Sequence, residues 1–112
     1  MSDSLPLEIS CRETATQMAT DNAPLLVDCR EADEFDLVAI PGSRLLPMSQ
    51  ITTRLCELAG HEQLPVIVYC HHGARSAQVV MWLRGQGFPS AQSMAGGIDA
   101  WAQQIEPGMT RY

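Results

Sequence analysis

Two short, uninterrupted apolar runs, Leu25-Leu26-Val27 and Val66-Ile67-Val68, constrain the fold of this chain more than any other feature. A strand with one wet face alternates apolar and polar residues, whereas a strand covered on both faces reads as a continuous apolar run. Both runs therefore predict central, doubly covered strands. Helical signals lie between and around them. Ser10 followed by Glu13 is a capping-box signature for a helix from Cys11 to about Thr20, with Ala15, Met18 and Ala19 on its inner face and a short strand, Leu7 to Ile9, leading in. Asp21-Asn22-Ala23-Pro24 breaks that helix before the first run. An acidic helical segment follows from Glu31 to about Leu37, then the turn Ile40-Pro41-Gly42-Ser43 and a third strand candidate, Arg44-Leu45-Leu46. Ser49 is placed to cap a helix from Gln50 to Ala59, with Ile51, Leu55 and Leu58 at helical spacing and Gly60 as terminator. Ser76, Val79, Val80 and Leu83 follow the pattern of an amphipathic helix that ends near Gly85-Gln86-Gly87. Gln92-Ser93-Met94 is a weak last strand, and Gly96-Gly97 turns into a helix around Ile98 to Gln104.

Strands alternating with helices predict an α/β fold, a mainly parallel sheet of about five strands with helices on both faces. With 112 residues the chain reads as a single domain, 1–112, with no second core to seek. In such sheets ligands bind beyond the carboxyl ends of the strands. Three segments follow predicted strands and converge there: Asp28-Cys29-Arg30, the loop opened by Cys70, and Met94-Ala95-Gly96-Gly97.

Cys70 opens the run Cys70-His71-His72-Gly73-Ala74-Arg75-Ser76, between the second apolar run and a helix. A loop that closes onto a helix N-terminus aims backbone N–H groups and the positive end of the helix dipole at the sulfur, favouring thiolate over thiol. Gly73 permits unusual backbone angles, and Arg75, His71 and His72 bring positive charge or hydrogen-bond donors. Ser76 is a first-turn helix residue whose hydroxyl can reach the sulfur. Cys29 ends the other central strand, where it reads as a small buried side chain with a resolving thiol as the alternative. Cys11 and Cys56 fall in predicted helices and read as inert packing, and Trp82 and Trp101 as packing residues.

Charge and cysteine usage narrow the classes of function. Thirteen acidic residues against seven arginines leave a net charge of −6, so nucleic acid is not an expected partner. An anion site would need its own local positive field. The four cysteines are too widely spaced for a paired redox or zinc motif, and His61, His71 and His72 have no metal-ligand spacing, so no metal or cofactor is expected. No segment reaches the apolar length of a membrane helix. The start, Met1-Ser2-Asp3-Ser4-Leu5-Pro6, lacks the basic and apolar stretches of a leader, which makes the cytoplasm the expected location.

Four blocks in order resemble the rhodanese-type sulfurtransferases, single-domain form. They are Leu25-Leu26-Val27-Asp28-Cys29-Arg30 with Glu31, Glu34 and Phe35; Ile40-Pro41-Gly42-Ser43; Val66 through Ser76; and Met94-Ala95-Gly96-Gly97-Ile98-Asp99-Ala100-Trp101. The resemblance implies a rhodanese-like three-layer fold and Cys70 as the residue that accepts a sulfane sulfur as a persulfide. It implies a small donor such as thiosulfate and a thiol or cyanide as acceptor, with His71, His72, Gly73, Ala74, Arg75 and Ser76 around the substrate. Asp28 and Arg30 are candidates for pocket support, or a charge pair that fixes the loop after its strand. Val38-Ala39 stands where the family commonly has Gly-His, which puts in question any polar contribution from that position. A docking module or sulfur carrier serving one sulfur-relay protein is the alternative. Dual-specificity cysteine phosphatases of related architecture are a further alternative, but they place five residues between Cys and Arg. Here four residues, His71 to Ala74, separate Cys70 from Arg75, and a shorter loop curls its amides around one sulfur rather than a phosphate.

Overall fold

The fold, seen in a computed structural model that describes residues 5–112, is one five-stranded sheet. The leader reading above rests mainly on Met1 to Ser4, which lie outside the described residues. Strands β1 (Glu8–Ile9), β2 (Leu25–Asp28), β3 (Arg44–Leu45), β4 (Val66–Tyr69) and β5 (Ala91–Met94) lie in the order β1-β5-β4-β2-β3. Every pairing is parallel. Helices α1 (Cys11–Met18), α2 (Ala32–Leu37), α3 (Ala74–Gly85) and α4 (Gly97–Gln104) account for the rest of the alternation. Among the described residues no helix is long and apolar enough to cross a membrane.

The two apolar runs alternate between two cores. Val27, Val66 and Val68 pack with Val79, Val80 and Leu83 of α3, while Leu26, Ile67 and Tyr69 pack with Cys11 of α1 and with Ile98 and Trp101 of α4. Each aliphatic side chain buried this way contributes roughly 1.5–3 kcal/mol. That exceeds the about 1 kcal/mol of a helix cap, so the covered strands, rather than helix propensity, hold the domain together. The cap is nonetheless formed: Ser10 Oγ accepts the Glu13 N–H at 3.0 Å. The inner face of α1 carries Cys11 and Thr14, with Ala15 and Met18 partly covered. Ala19, expected on that face, is exposed because the helix stops at Met18.

The expected helix from Gln50 to Ala59 is a series of turns with a single 3-10 turn, Leu55–Leu58. Its intended cap is committed elsewhere, since the Ser49 hydroxyl donates to Glu31 Oε1 at 2.7 Å. Thr53 donates its hydroxyl to the Gln50 carbonyl at 3.0 Å, a local bond that competes with helix. Ile51 and Leu58 still reach the core, so the apolar spacing marked burial and not helix. Cys56, expected to pack inside that helix, is exposed.

Strand order also locates the cleft. From β2 the chain moves outward to β3, and from β4 it moves outward to β5, in the opposite direction. Right-handed crossovers in opposite directions place their helices on opposite faces, which opens a crevice between the carboxyl ends of β2 and β4. Cys29 and Cys70 follow those two strands directly.

Candidate active site

Cys70 follows β4 and is 1% exposed. Its sulfur accepts the Gly73 N–H at 3.0 Å and the Ser76 N–H at 3.4 Å, and the Ser76 hydroxyl lies 3.5 Å away. Ser93 Oγ of β5 stands 2.7 Å from Ser76 Oγ, so one hydroxyl can donate into the next and the second toward the sulfur. Two features turn the amides inward. Gly73 caps α3 at φ +109°, a backbone state in which side chains are strained. The loop carbonyls are held on the far side by the first amides of α4, Ile98 N–H on Cys70 at 2.8 Å and Asp99 N–H on His71 at 3.1 Å. Gly97 makes this approach feasible, because a Cβ there would collide with the carbonyl oxygens of Cys70 and His71.

The consequence is a thiol pulled down from its ordinary range to about 4. A hydrogen bond from the neighbouring Cys29 thiol is the largest cause, burial opposes it, and the Ser76 hydroxyl with the Ser76 and Gly73 amides completes the effect. Cys29 moves the opposite way. Its bond to Cys70 and its burial both hold the proton on, and the nearby Cys70 and Asp28 charges act in the same direction.

Arg75 does not point at loop carbonyls, nor does it stand free. Its guanidinium forks onto Glu34, Nη1 to Oε1 at 2.7 Å and Nη2 to Oε2 at 3.0 Å, and the Tyr112 hydroxyl donates to Glu34 Oε2 at 2.7 Å. The Arg75 pairing, set against partial burial, keeps the Glu34 carboxyl down at about 2. Glu34 is brought there by the charge pair upstream. Asp28 and Arg30 are fully buried, and Asp28 Oδ1 accepts both the Arg30 N–H and its Nε–H at 2.9 Å. The Arg30 guanidinium continues to the carbonyls of Glu34 and Val38, at 3.3 and 2.6 Å, and to the Tyr112 hydroxyl at 2.8 Å. Asp28 and Arg30 thus reach the loop indirectly, through α2 and through Tyr112. Position 38 serves through its backbone carbonyl, which Val supplies as well as any residue.

His71 and His72 stack at 3.8 Å between ring centres, and the Tyr112 ring covers His71 at 3.9 Å and 7°. Among the described residues His71 Nε2 is buried without a hydrogen-bond partner, whereas His72 is exposed. Ala74 opens α3. Among the described residues, His71, His72 and Asp99 hold metal-ligand atoms within 4.8 Å of one another, a grouping that sequence spacing could not show because Asp99 comes from α4. Arg111 donates to both oxygens of Asp99, at 3.0 and 3.4 Å, which already neutralises that carboxylate. Tyr69 and the Ile40-to-Ser43 turn frame the loop from the other side: the Tyr69 hydroxyl accepts Ile40 N–H at 3.1 Å and lies 2.9 Å from Ser43 Oγ. Ser93, Glu34 and Tyr112 had no site role in the sequence reading. Glu34 carries two usable signals in the sequence, its place in the Leu25-to-Phe35 block and its position three residues after Glu31 in a capping box.

The sequence profile of the rhodanese-like domain matches residues 12–104. A sulfurtransferase from Allochromatium vinosum is 35% identical over 100 residues, covering 89% of this chain and 92% of that protein. The probable adenylyltransferase/sulfurtransferase MoeZ of Mycobacterium tuberculosis is 34% identical over 108 residues, covering 93% of this chain and 26% of that one. A rhodanese-like/PpiC domain-containing chloroplast protein of Arabidopsis thaliana is 33% identical over 89 residues. The chain spans 30% of the length of the chloroplast protein and 26% of that of MoeZ. Among solved structures, the rhodanese-like domain protein from Staphylococcus aureus superposes with a TM-score of 0.80 at 26% identity, covering 96% of this chain and 99% of that one. Fold, loop and sequence agree: the chain belongs to the rhodanese-like sulfurtransferase family.

Proposed function

We propose that this protein transfers a sulfane sulfur from a small donor such as thiosulfate to a thiol or cyanide, through a persulfide on Cys70. The observation that carries this reading is the inward turn of two amides onto one sulfur atom, Gly73 N–H at 3.0 Å and Ser76 N–H at 3.4 Å. In the first half-reaction the Cys70 thiolate attacks the outer sulfur of thiosulfate. A new S–S bond forms, the donor S–S bond breaks with its electron pair, and sulfite leaves. The terminal sulfur then carries the negative charge, and fixed donors that need no rearrangement stabilise it. In the second half-reaction cyanide or a thiolate attacks that outer sulfur, the enzyme S–S bond breaks, and the Cys70 thiolate returns. No proton is moved in either half, so the amides and the ion-paired Arg75 carry the loop's part in it.

The loop residues divide accordingly. Gly73 and Ser76 cradle the sulfur with backbone and hydroxyl, and Ala74 opens the helix between them. Arg75 adds charge at the rim while Glu34 orients it, and His71 and His72 line the outer edge. Asp28 and Arg30 brace α2, which sets Glu34. The sulfur-relay alternative draws support from the MoeZ match, in which this chain corresponds to about a quarter of a protein named as both adenylyltransferase and sulfurtransferase. An acceptor of that kind would be a thiolate carried by a protein, which attacks the outer sulfur of the same persulfide and releases the Cys70 thiolate.

Incubation with thiosulfate is expected to add one sulfur to the peptide that contains Cys70, removable by cyanide as thiocyanate. Sulfur on Cys29, or no sulfur with phosphate-ester hydrolysis instead, overturns the reading. Loading from thiosulfate with discharge only to a protein acceptor selects the relay form.

A further inference from the structure

Two of the four free thiols share one core cluster: Cys29 and Cys70, 0% and 1% exposed, both on the α3 side of the sheet. β2 and β4 pair in parallel with Asp28 opposite Tyr69, and the Cys29 amide extends that ladder by donating to the Tyr69 carbonyl at 3.0 Å. The register therefore sets Cys29 opposite Cys70, and strand alternation sends both side chains to the same face. Neighbouring strands lie about 4.8 Å apart, within the roughly 4.4–6.8 Å Cα span that a disulfide bridges. The remaining thiols are placed elsewhere. Cys11 lies against the Ala95 carbonyl in the opposite core cluster, and Cys56 is on the surface. Sulfur transfer from donor to acceptor needs only one nucleophilic thiol, so Cys29 serves there as a hydrogen-bond donor to Cys70 and its own nucleophilicity is unused.

We infer that Cys29 is the resolving thiol for Cys70, so that oxidation of the site by a hydroperoxide ends in a reversible Cys29–Cys70 disulfide. In the first step the Cys70 thiolate attacks a peroxide oxygen. An S–O bond forms, the O–O bond breaks, and an alkoxide, or hydroxide from hydrogen peroxide itself, leaves, giving a sulfenic acid with the sulfur oxidised by two electrons. In the second step the Cys29 sulfur attacks the Cys70 sulfur. The S–S bond forms, the S–O bond breaks, and the hydroxyl departs with the Cys29 proton as water.

Charge explains why the same pair does not short-circuit sulfur transfer, a point that rests on the persulfide reading above. The bond to Cys70, burial, and the Cys70 and Asp28 charges together hold the Cys29 proton on. An anionic persulfide keeps a negative charge in the pocket. A neutral sulfenic acid removes that one cause and leaves burial and Asp28, so the Cys29 proton is released more readily when resolution is needed. Without a resolving partner the next steps for Cys70 are sulfinic and sulfonic acids, neither recoverable by thiols.

The test treats the reduced protein with a several-fold molar excess of hydrogen peroxide, since over-oxidation consumes a second equivalent, blocks remaining thiols, and maps peptides by mass. The expected product is a Cys29 peptide joined to a Cys70 peptide, two hydrogens lighter than the reduced pair. Dithiothreitol should return about nine-tenths of the alkylatable Cys70, whereas in Cys29→Val, a replacement of similar size for a buried site, less than about one-tenth returns. Equal accumulation of Cys70 sulfinic acid in wild type and Cys29→Val overturns the inference, as does a bridge to Cys11 or Cys56. If Cys29→Val does not fold, the wild-type peptide map decides alone. Thiosulfate loading of the untreated protein is scored separately. A disulfide without persulfide loading sinks the sulfur-transfer reading and leaves the resolving thiol, and loading without the disulfide does the reverse.

Discussion

The loops after β2 and β4 begin alike and end as opposites. Each follows a covered parallel strand, each starts with a buried cysteine on the α3 face, and the two cysteines lie side by side. After Cys70 the backbone reverses through Gly73 and spends its amides on the sulfur. After Cys29 the space is filled by the buried Asp28–Arg30 pair, and the Cys29 amide itself goes to Tyr69. One thiol is lowered and its neighbour raised. The strand places a cysteine, but the neighbouring thiol and the loop beyond it decide its chemistry.

The hardest strike on this comparison removes each sulfur in turn. Cys70→Ser is expected to lower thiocyanate formation by at least about 10⁴-fold with an unchanged circular dichroism spectrum, since the covalent route is gone. Cys29→Val should retain turnover, reduced only as far as the Cys70 thiolate population falls. Equal losses in the two variants would make the thiols interchangeable and end the comparison.

Arg30→Leu attacks the other loop. It leaves Asp28 buried without its partner, and breaking such a pair costs about 3–5 kcal/mol, read as a lower midpoint in urea. A loss below about 1 kcal/mol would place the pair in water and contradict its burial. Gly73→Ala asks for a Cβ at φ +109° and 3.3 Å from the Gly96 nitrogen. Its expected cost is about 1–3 kcal/mol, with slower alkylation of Cys70 at neutral pH as the Gly73 amide swings away.

The gentlest test is titration. Alkylation follows thiolate, so the wild-type Cys70 rate should stay level from about pH 9 to about pH 6 and fall only as pH nears its lowered value of about 4. Cys29→Val should move that fall upward, because the thiol donor that favours the thiolate is removed. The same shift links to stability. An acid lowered by folding adds stability in full above its unfolded value, about 8.5 for a thiol, and that contribution is lost as pH falls through the folded value. The wild type should therefore lose part of its margin over Cys70→Ser between those limits as the solution is acidified.

Much of the positioning was legible in the chain because it depends on neighbours in sequence. The apolar runs, the Ser10 cap, the Gly73 position and the short step from Cys70 to Arg75 are local properties, and the structure bears them out as strands, helix start and loop. The helix from Gln50 to Ala59 failed for a tertiary reason, as Ser49 is drawn to Glu31 of a distant segment. The same kind of long-range contact hid the partner of Arg75, which is Glu34 at a separation of 41 residues, and the Ser93 hydroxyl beneath Ser76.

Sequence by itself determined that two covered strands would stand at the centre and that a cysteine would meet a glycine-bearing turn and a helix start. Those follow from apolar period and backbone freedom, which act over a few residues. Only the tertiary structure decided that Cys29 would face Cys70, that Glu34 would hold Arg75 and that α4 would draw the loop carbonyls away from the sulfur. Strand order and register bring those groups together, and both are settled by how the layers pack over the whole sheet rather than by any stretch of chain.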